Sequence, residues 1–323
     1  MRNILTRSFA DTYLNTEGNI IIKHLNTIIK GDVFEVLQTF ESNSIDVGVT
    51  SPPYNKQEKQ KGWLVKNVKY DSFKDIKPEE KYQEEQINVL NEIFRITKEG
   101  GSFFYNHKTR WDRGLMIHPM EWLIKTKWTI RQEIIWDRKI AANIRGWRFW
   151  QVDERIYWLY KPINAHKIGI ELESKHALLS SIWRFSPEQK NPHPAPFPVT
   201  LPTRIIVSML NDKDGVVLDP YCGSGTTLVA AKLLKKKYIG IDISEDYIKS
   251  SKQRLQNAAS ELSTVEEEVQ KHLVRKTFKQ RKESGEFTGR HKAGFGVKKE
   301  NGKVKQVWLF EIPAKNIKSK KTK

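Results

Sequence analysis

Two short stretches of this chain place polar groups where a regular element cannot continue. The first is Ser51-Pro52-Pro53-Tyr54, which ends the apolar run "SIDVGVT". Two consecutive prolines fix two φ angles and remove two N–H donors, so a strand must stop there in a rigid corner. The second is "DPYCGSGTT", Asp219–Thr227, set between the apolar run "GVVLD" and the segments "TLVAAKLLKKK" and "YIGIDIS". That order predicts strand, glycine turn, helix and strand over 214–245. Gly223 and Gly225 let the backbone turn sharply and approach a ligand. Thr226 and Thr227 are expected to cap the helix and present its N-terminal N–H groups. Asp242, at the end of the second strand, can accept hydrogen bonds from both hydroxyls of a ribose.

The spacing excludes two common phosphate sites. Leu228 stands where a dinucleotide fingerprint needs its third glycine, and no Gly-Lys-Ser/Thr follows the turn. The turn therefore suits a nucleoside without a pyrophosphate, and S-adenosylmethionine is the expected cofactor. Asp219, Pro220, Gly223, Ser224, Gly225, Thr226, Thr227, Asp242 and Ile243 form the expected binding set.

The elements that must position these residues alternate. Strand-like runs are "GNIIIKHL", "SIDVGVT", "SFFYNH", "WTIRQEIIWDR", "ERIYWLYKP", "GVVLDP" and "YIGIDIS". Between them lie helical patterns. The clearest is residues 77–101, where Tyr82, Ile87, Leu90, Ile93 and Phe94 recur at helical spacing between Pro78 and Gly100. Residues 245–274 read as one long polar helix, and 163–203 as an irregular proline-rich stretch. Strands alternating with helices predict an α/β sheet.

Composition narrows the partners. The chain has 323 residues and a formal net charge of +18. Residues 271–323 carry 17 Lys/Arg against 4 Asp/Glu. Such an excess points to a polyanion, with a solvated basic tail as the bland alternative. No apolar run is long enough for a membrane span, and the N-terminus lacks a secretory pattern. A single cysteine, Cys222, fits a reducing cytoplasm, the expected location. Eight histidines are scattered without ligand spacing, so no metal site is expected.

"DPYCGSGTT" resembles the S-adenosylmethionine motif of amino-methylating DNA methyltransferases, and "TSPPYN" resembles their catalytic motif. The catalytic motif comes first, the permuted order of the beta class, most like its N4-cytosine restriction-modification members. The resemblance covers roughly residues 20–250. It implies a circularly permuted, Rossmann-like sheet with helices on both faces and one antiparallel strand near the edge. It also implies that Asp32 lies near the adenosine and that Phe197, with Pro196 and Pro198, walls the cofactor pocket. His193 lies in that same proline-rich segment. Cys222 needs no catalytic role; it reads as a small buried group in the turn.

Under this resemblance the reaction is a direct displacement by an exocyclic amine. The amine lone pair is delocalised into the base, so acceptors must hold its hydrogens and turn the nitrogen toward the methyl group. Ser51, Pro52, Pro53 and Tyr54 are the expected catalytic residues: the Ser51 hydroxyl and the Pro52 carbonyl as acceptors, Tyr54 as a stacking platform for a flipped base. Trp63 and Tyr70, in the lysine-rich segment 56–70, read equally as pocket-closing and as loop-anchoring aromatics. An initial serine goes mainly with cytosine N4 in the family, an aspartate with adenine N6. The expected activity is thus N4-cytosine methylation of duplex DNA. N6-adenine methylation is one alternative, and an inactive DNA-binding protein on a methyltransferase fold is another.

The expected organisation is a catalytic domain at 1–262 and a basic extension at 263–323 ending in a disordered tail. Within the former, 138–190 is a candidate DNA-contacting insert. Arg145 and Arg148, among Trp147 and Trp150, and Arg275, Lys276, Lys279, Arg281, Lys282, Arg290 and Lys292 are the expected DNA-binding residues. Double-stranded DNA is the expected partner. A separate cognate restriction endonuclease fits the setting, and both a monomer and a homodimer stay open.

Overall fold

The structure is a computed structural model. It describes residues 24–55, 77–140, 146–164, 180–188 and 197–272, together with Glu283, 295–300 and 303–308. The described elements of the main unit are β1 (Thr27–Lys30), α1 (Val33–Gln38), β2 (Ile45–Thr50), α2 (Glu79–Ile96), β3 (Thr97–His107), β4 (Arg110–Asp112), β5 (Leu115–Ile117), α3 (Met120–Leu123), β6 (Thr129–Asp137), β7 (Asp153–Tyr160), β8 (Ile182–Arg184), α4 (Thr200–Leu210), β9 (Val216–Asp219), α5 (Thr226–Leu233), β10 (Lys237–Asp242), α6 (Glu245–Gln256) and α7 (Leu262–His272).

Eight strands form one sheet in the order β1-β10-β9-β2-β3-β7-β6-β8. The pairs from β1 through β3 are parallel; β7 runs antiparallel to β3 and β6, and β8 is again parallel to β6. This is the mixed α/β sheet with one antiparallel strand toward an edge. The central strands β10, β9, β2, β3 and β7 are buried on both faces, as a helix-covered sheet requires. Val47, Val49, Phe104, Ile156 and Val217 face α4 and α5, within one core. Ile45, Phe103, Tyr105, Leu218 and Ile239 belong to a second core with α1, α2 and α3. Alternate residues supply the two cores in β3, β7 and β9; in β2 the irregularity between Ile45 and Val47 shifts the alternation.

The boundaries differ from the pattern in three places. The first described strand is "TIIK", and most of the expected strand "GNIIIKHL" lies outside the described residues. Gly100 does not stop α2. The helix ends at Ile96, and Thr97 starts β3 with an irregular register before Val47 meets Ser102. Lys161 Nζ donates to the carbonyls of Phe94 and Thr97, satisfying groups that a helix end leaves open. A further short strand, β8, lies inside the proline-rich stretch.

The expected long polar helix is broken as well. After α6 comes a 3-10 turn, Ala258–Glu261, before α7. Arg254 holds the break: it donates from Nε and Nη2 to the two carboxylate oxygens of Glu261 at 2.7 and 2.9 Å, and from Nη1 to the Thr226 hydroxyl at 2.8 Å. α7 then packs back: Val265 is buried and Arg204 Nε donates to Glu268 Oε1 at 2.6 Å. The main unit therefore continues past 262, to Lys271. A second unit contains 175–180 and 272–323; its described strands, β11 (Phe295–Glu300) and β12 (Lys303–Trp308), pair as an antiparallel hairpin.

Candidate active site

Strand β2 leads through α2 to β3 on one side, while its neighbour β9 leads through α5 to β10 on the other. The connections diverge at that pair and leave a crevice outside the strand C-terminal ends, the place where open α/β sheets bind ligands. Ser51 follows β2 and Pro220 follows β9, so both motifs end at this one crevice. Thr50 Oγ1 donates to Asp219 Oδ1 at 2.7 Å across it. A cavity of about 380 Å³ opens there, within the range of small-ligand pockets.

The glycine turn forms one wall. Gly223 (φ 49°) and Gly225 (φ 78°) both adopt left-handed backbone. A Cβ on Gly225 would sit 2.1 Å from Ser251 Oγ, so only glycine fits. The N-cap of α5 is Gly225 itself, without a side-chain cap. Thr226 and Thr227 are instead the first helical residues, which corrects their expected capping role. The Thr226 hydroxyl accepts from Arg254 Nη1 at 2.8 Å. Within the turn, Gly225 N donates to the Cys222 carbonyl at 2.7 Å and Cys222 N to the Ile241 carbonyl at 2.9 Å, so the N–H groups a helix start leaves open are those of the first residues of α5.

Asp32, Asp219 and Asp242 line the cavity, which gives it an acidic floor in a basic protein. Asp242 ends β10; its Oδ2 accepts from Gly223 N at 2.8 Å and its Oδ1 from Ser244 N at 2.9 Å. Burial raises its carboxyl above the usual range. Asp219 is buried and pushed up to about 6, chiefly by desolvation, against the hydrogen bonds it accepts. Asp32 caps α1, with Oδ1 accepting from Phe34 N at 2.9 Å. Phe197 adds an apolar wall, and Pro220, Ser224 and Ile243 also line the cavity. Burial holds the Cys222 thiol protonated, well above its usual pKa. The lining, a carboxylate at the end of β10, the N-terminal turn of α5 and an apolar wall, fits a cationic nucleoside such as S-adenosylmethionine.

The proline corner forms the opposite wall. Ser51, Pro53 and Tyr54 line the cavity, whereas Pro52 is buried behind it. The corner is held from several sides. Tyr82 Oη, from α2, donates to the Pro53 carbonyl at 2.8 Å. The ring of Tyr54 packs on His107 with centroids 4.5 Å apart. Asn55 adopts φ 51°; its side chain accepts from Lys77 N at 2.7 Å and donates to Lys77 O at 3.0 Å. These bonds mimic a strand pairing and tie the two ends of 56–76 together.

Beyond the motif lies a polar cluster absent from the expected site residues. Ser51 Oγ and Tyr54 Oη are 2.6 Å apart. Asn106 Nδ2, at the end of β3, donates to Tyr54 Oη and Glu154 Oε2, each at 2.9 Å. Glu154 starts β7, and Arg138 Nη1 donates to its Oε1 at 2.9 Å. Asn106 pairs with Ile156, so Glu154 is its diagonal neighbour on one face. Register alone brings these residues together, and no local motif marks it.

The connection from β6 to β7, next to this site, is aromatic and exposed: it presents Trp147, Phe149 and Trp150, 56%, 99% and 63% exposed. Arg148 lies 4.1 Å over the ring of Trp111 from β4. Pro196, His193, Arg145, Trp63, Tyr70 and the basic residues Arg275, Lys276, Lys279, Arg281, Lys282, Arg290 and Lys292 lie outside the described residues. No group of metal-ligating side chains occurs among the described residues. No described helix is long and apolar enough to cross a membrane.

Comparison with known proteins agrees with this geometry. Residues 45–253 match the N6 and N4 methyltransferase family, described as DNA methylase. The type II methyltransferase M.HinfI of Haemophilus influenzae is 29% identical over 277 residues, covering 75% of this chain and 71% of the relative. The DNA adenine methyltransferase YhdJ of Escherichia coli is 28% identical, covering 78% and 88%. The protein TTHA0409 of Thermus thermophilus, solved with S-adenosyl-L-methionine, superposes with a TM-score of 0.53 at 26% identity, covering 72% of this chain and 95% of that one. The cytosine-N4-specific PvuII DNA methyltransferase shares the fold, with a TM-score of 0.54 at 19% identity, covering 74% and 91%.

Proposed function

This chain belongs to the DNA methylase family of N6 and N4 methyltransferases, and on that premise we propose that it methylates the N4 amine of a flipped cytosine at a specific duplex site. It is a site-specific, S-adenosylmethionine-dependent DNA amino-methyltransferase. The choice of cytosine rests on one observation: the residue at the cavity wall that opens the catalytic motif is Ser51, a neutral hydroxyl, where a carboxylate would go mainly with adenine. When bound, S-adenosylmethionine supplies an electrophilic methyl group on a sulfonium sulfur.

The chain's own residues do the rest. Ser51 Oγ accepts a hydrogen bond from the amine, so the nitrogen lone pair can leave the plane of the base. Pro52 and Pro53 keep that acceptor fixed, and Tyr82 clamps the corner through the Pro53 carbonyl. Asp242 takes the ribose hydroxyls, Asp32 faces the adenosine and Phe197 walls it, with Gly223, Ser224, Gly225, Thr226 and Thr227 shaping the turn. Duplex DNA lies along the β6–β7 connection that carries Trp147, Arg148 and Phe149. The basic extension adds phosphate contacts, and a separate endonuclease completes a restriction-modification pair.

The test is incubation with labelled S-adenosylmethionine and duplex DNA, then digestion to nucleosides. N4-methylcytosine is the expected product. N6-methyladenine as sole product, the outcome that the Escherichia coli relative favours, overturns the choice of base. Absence of any DNA product overturns the reading as a whole.

A further inference from the structure

We propose that Glu154 orients the hydroxyls of the catalytic corner and is the final acceptor of the proton that the methylated amine must lose. The inference rests on the proposed placement of the amine against Ser51.

Hydrogen-bond directions carry it. An ionised carboxylate only accepts. Glu154 Oε2 lies 3.0 Å from Tyr54 Oη, so the single Tyr54 proton points at Glu154. Ser51 Oγ and Tyr54 Oη are 2.6 Å apart, and one of them must donate. Since the Tyr54 proton is committed, the Ser51 hydroxyl donates to Tyr54. Asn106 agrees: its Nδ2 also donates to Tyr54 Oη, which leaves that oxygen accepting twice and donating once. With its hydrogen turned away, Ser51 Oγ presents lone pairs alone to the cavity. That is the orientation an amine hydrogen requires. A protonated or neutralised Glu154 would free Tyr54 to donate to Ser51, and the Ser51 hydrogen would then point at the amine and repel it.

The same chain removes a proton. As the N–C bond forms and the sulfonium S–C bond breaks, with its electron pair left on sulfur, the amine nitrogen gains a positive charge. One N–H bond then breaks. Its proton goes to Ser51 Oγ, the Ser51 proton to Tyr54 Oη, and the Tyr54 proton to Glu154 Oε2, which becomes a carboxylic acid. Sulfonium, amine and carboxylate become thioether, N-methylamine and carboxylic acid, with no further reagent. Arg138, 2.9 Å from Oε1, pairs the carboxylate while leaving Oε2 to the relay. Glu154 is a buried residue, so solvent does not replace it.

Single-turnover methylation of duplex DNA with saturating cofactor tests the proposal. Glu154→Gln is expected to slow it by about 100-fold, the low end of acid–base contributions. The Kd for S-adenosylhomocysteine by calorimetry and the Kd for DNA should stay within about twofold, because neither ligand needs the relay. Glu154→Asp should recover part of the rate. In a Tyr54→Phe background, where the relay is already cut, Glu154→Gln should cost less than about threefold. A Glu154→Gln enzyme at the wild-type single-turnover rate overturns the proposal, and so does an equal loss in both backgrounds. Should Glu154→Gln not fold, Tyr54→Phe alone decides: an undiminished single-turnover rate overturns the relay. Ser51→Ala separates this from the underlying reading: an active Ser51→Ala enzyme sinks the placement of the amine, whereas an inactive one beside a fully active Glu154→Gln sinks only the relay.

Discussion

Thr50 Oγ1 and Asp219 Oδ1 are joined by a 2.7 Å hydrogen bond between strand ends that lie 169 residues apart in sequence. The same oxygen accepts from Tyr221 N at 3.2 Å. This one carboxylate therefore fixes the proline corner against the cofactor turn, at a cost. Burial raises its pKa from 3.8 to about 6. Below the lower value Asp219 is protonated in the folded and unfolded chain alike. As pH rises to about 6 only the unfolded chain ionises, so stability falls across that window and stays reduced above it. Asp219→Asn keeps an Oδ1 acceptor for both donors and removes the charge. Its stability relative to wild type should rise by about 3 kcal/mol between pH 4 and 7. Urea unfolding at a series of pH values checks this, and a pH-independent difference would refute it. Cofactor affinity should fall in the same variant, because a cationic ligand loses a carboxylate beside it.

Gly225 carries two separable constraints. Its φ is 78°, and a Cβ there would meet Ser251 Oγ at 2.1 Å. Gly225→Ala should cost about 3 kcal/mol or more, combining left-handed strain with overpacking. Adding Ser251→Ala should relieve the clash and leave the strain, recovering roughly half. Thermal melts of the three variants measure this; no recovery in the double variant would place the whole cost in the backbone.

The contrast between these residues and Glu154 shows what the amino-acid order could carry. Gly223, Gly225 and Asp242 are legible because a tight turn and a strand end are local events, with fixed residue types at fixed spacing. The proline corner is legible for the same reason. Glu154, Asn106 and Tyr82 come from three different elements and Arg138 directly follows β6, and only the pairing of β3 with β7 and of β6 with β7 brings Glu154, Asn106 and Arg138 together. A polar residue at a strand end looks like any edge residue until the register is known. The break at Asn257 was hidden similarly, since it depends on Arg254 reaching Glu261 and the Thr226 hydroxyl at once. The helical period of α2 was clear, yet its end was not, because Lys161 rather than a glycine satisfies its last carbonyls.

Cys222 offers a chemical reporter of the cofactor turn. Its thiol is buried, and the carboxylates of Asp242 and Asp219 add to the desolvation that keeps it protonated. Only a thiolate reacts readily with alkylating reagents. Native protein at about pH 7.5, below the usual thiol pKa, should therefore resist labelling, and labelling should appear with the unfolding transition in urea. Saturating S-adenosylhomocysteine should shift that transition upward by mass action. Mass spectrometry reads the outcome; complete labelling of native protein within minutes would show that the turn opens without unfolding.

Arg148 tests how DNA is held on the exposed β6–β7 connection. Its guanidinium lies over Trp111 at 4.1 Å and within 5.6 Å of the Trp147 ring, next to the almost fully exposed Phe149. A cation held against two aromatic rings loses little freedom when it meets a phosphate, so its contribution should exceed that of a lone surface lysine. A phosphate contact weakens binding evenly across sequences and carries about one unit of the salt dependence. Arg148→Ala should thus lower affinity for cognate and non-cognate duplex alike and reduce the slope of log K against log salt by about one. Phe149→Ala should leave that slope unchanged, since it removes no charge. Fluorescence anisotropy over a salt series measures both. If Arg148→Ala instead relaxes discrimination between sites at constant slope, the guanidinium reads a base edge rather than the backbone, and the β6–β7 connection that carries it would be the recognition surface itself.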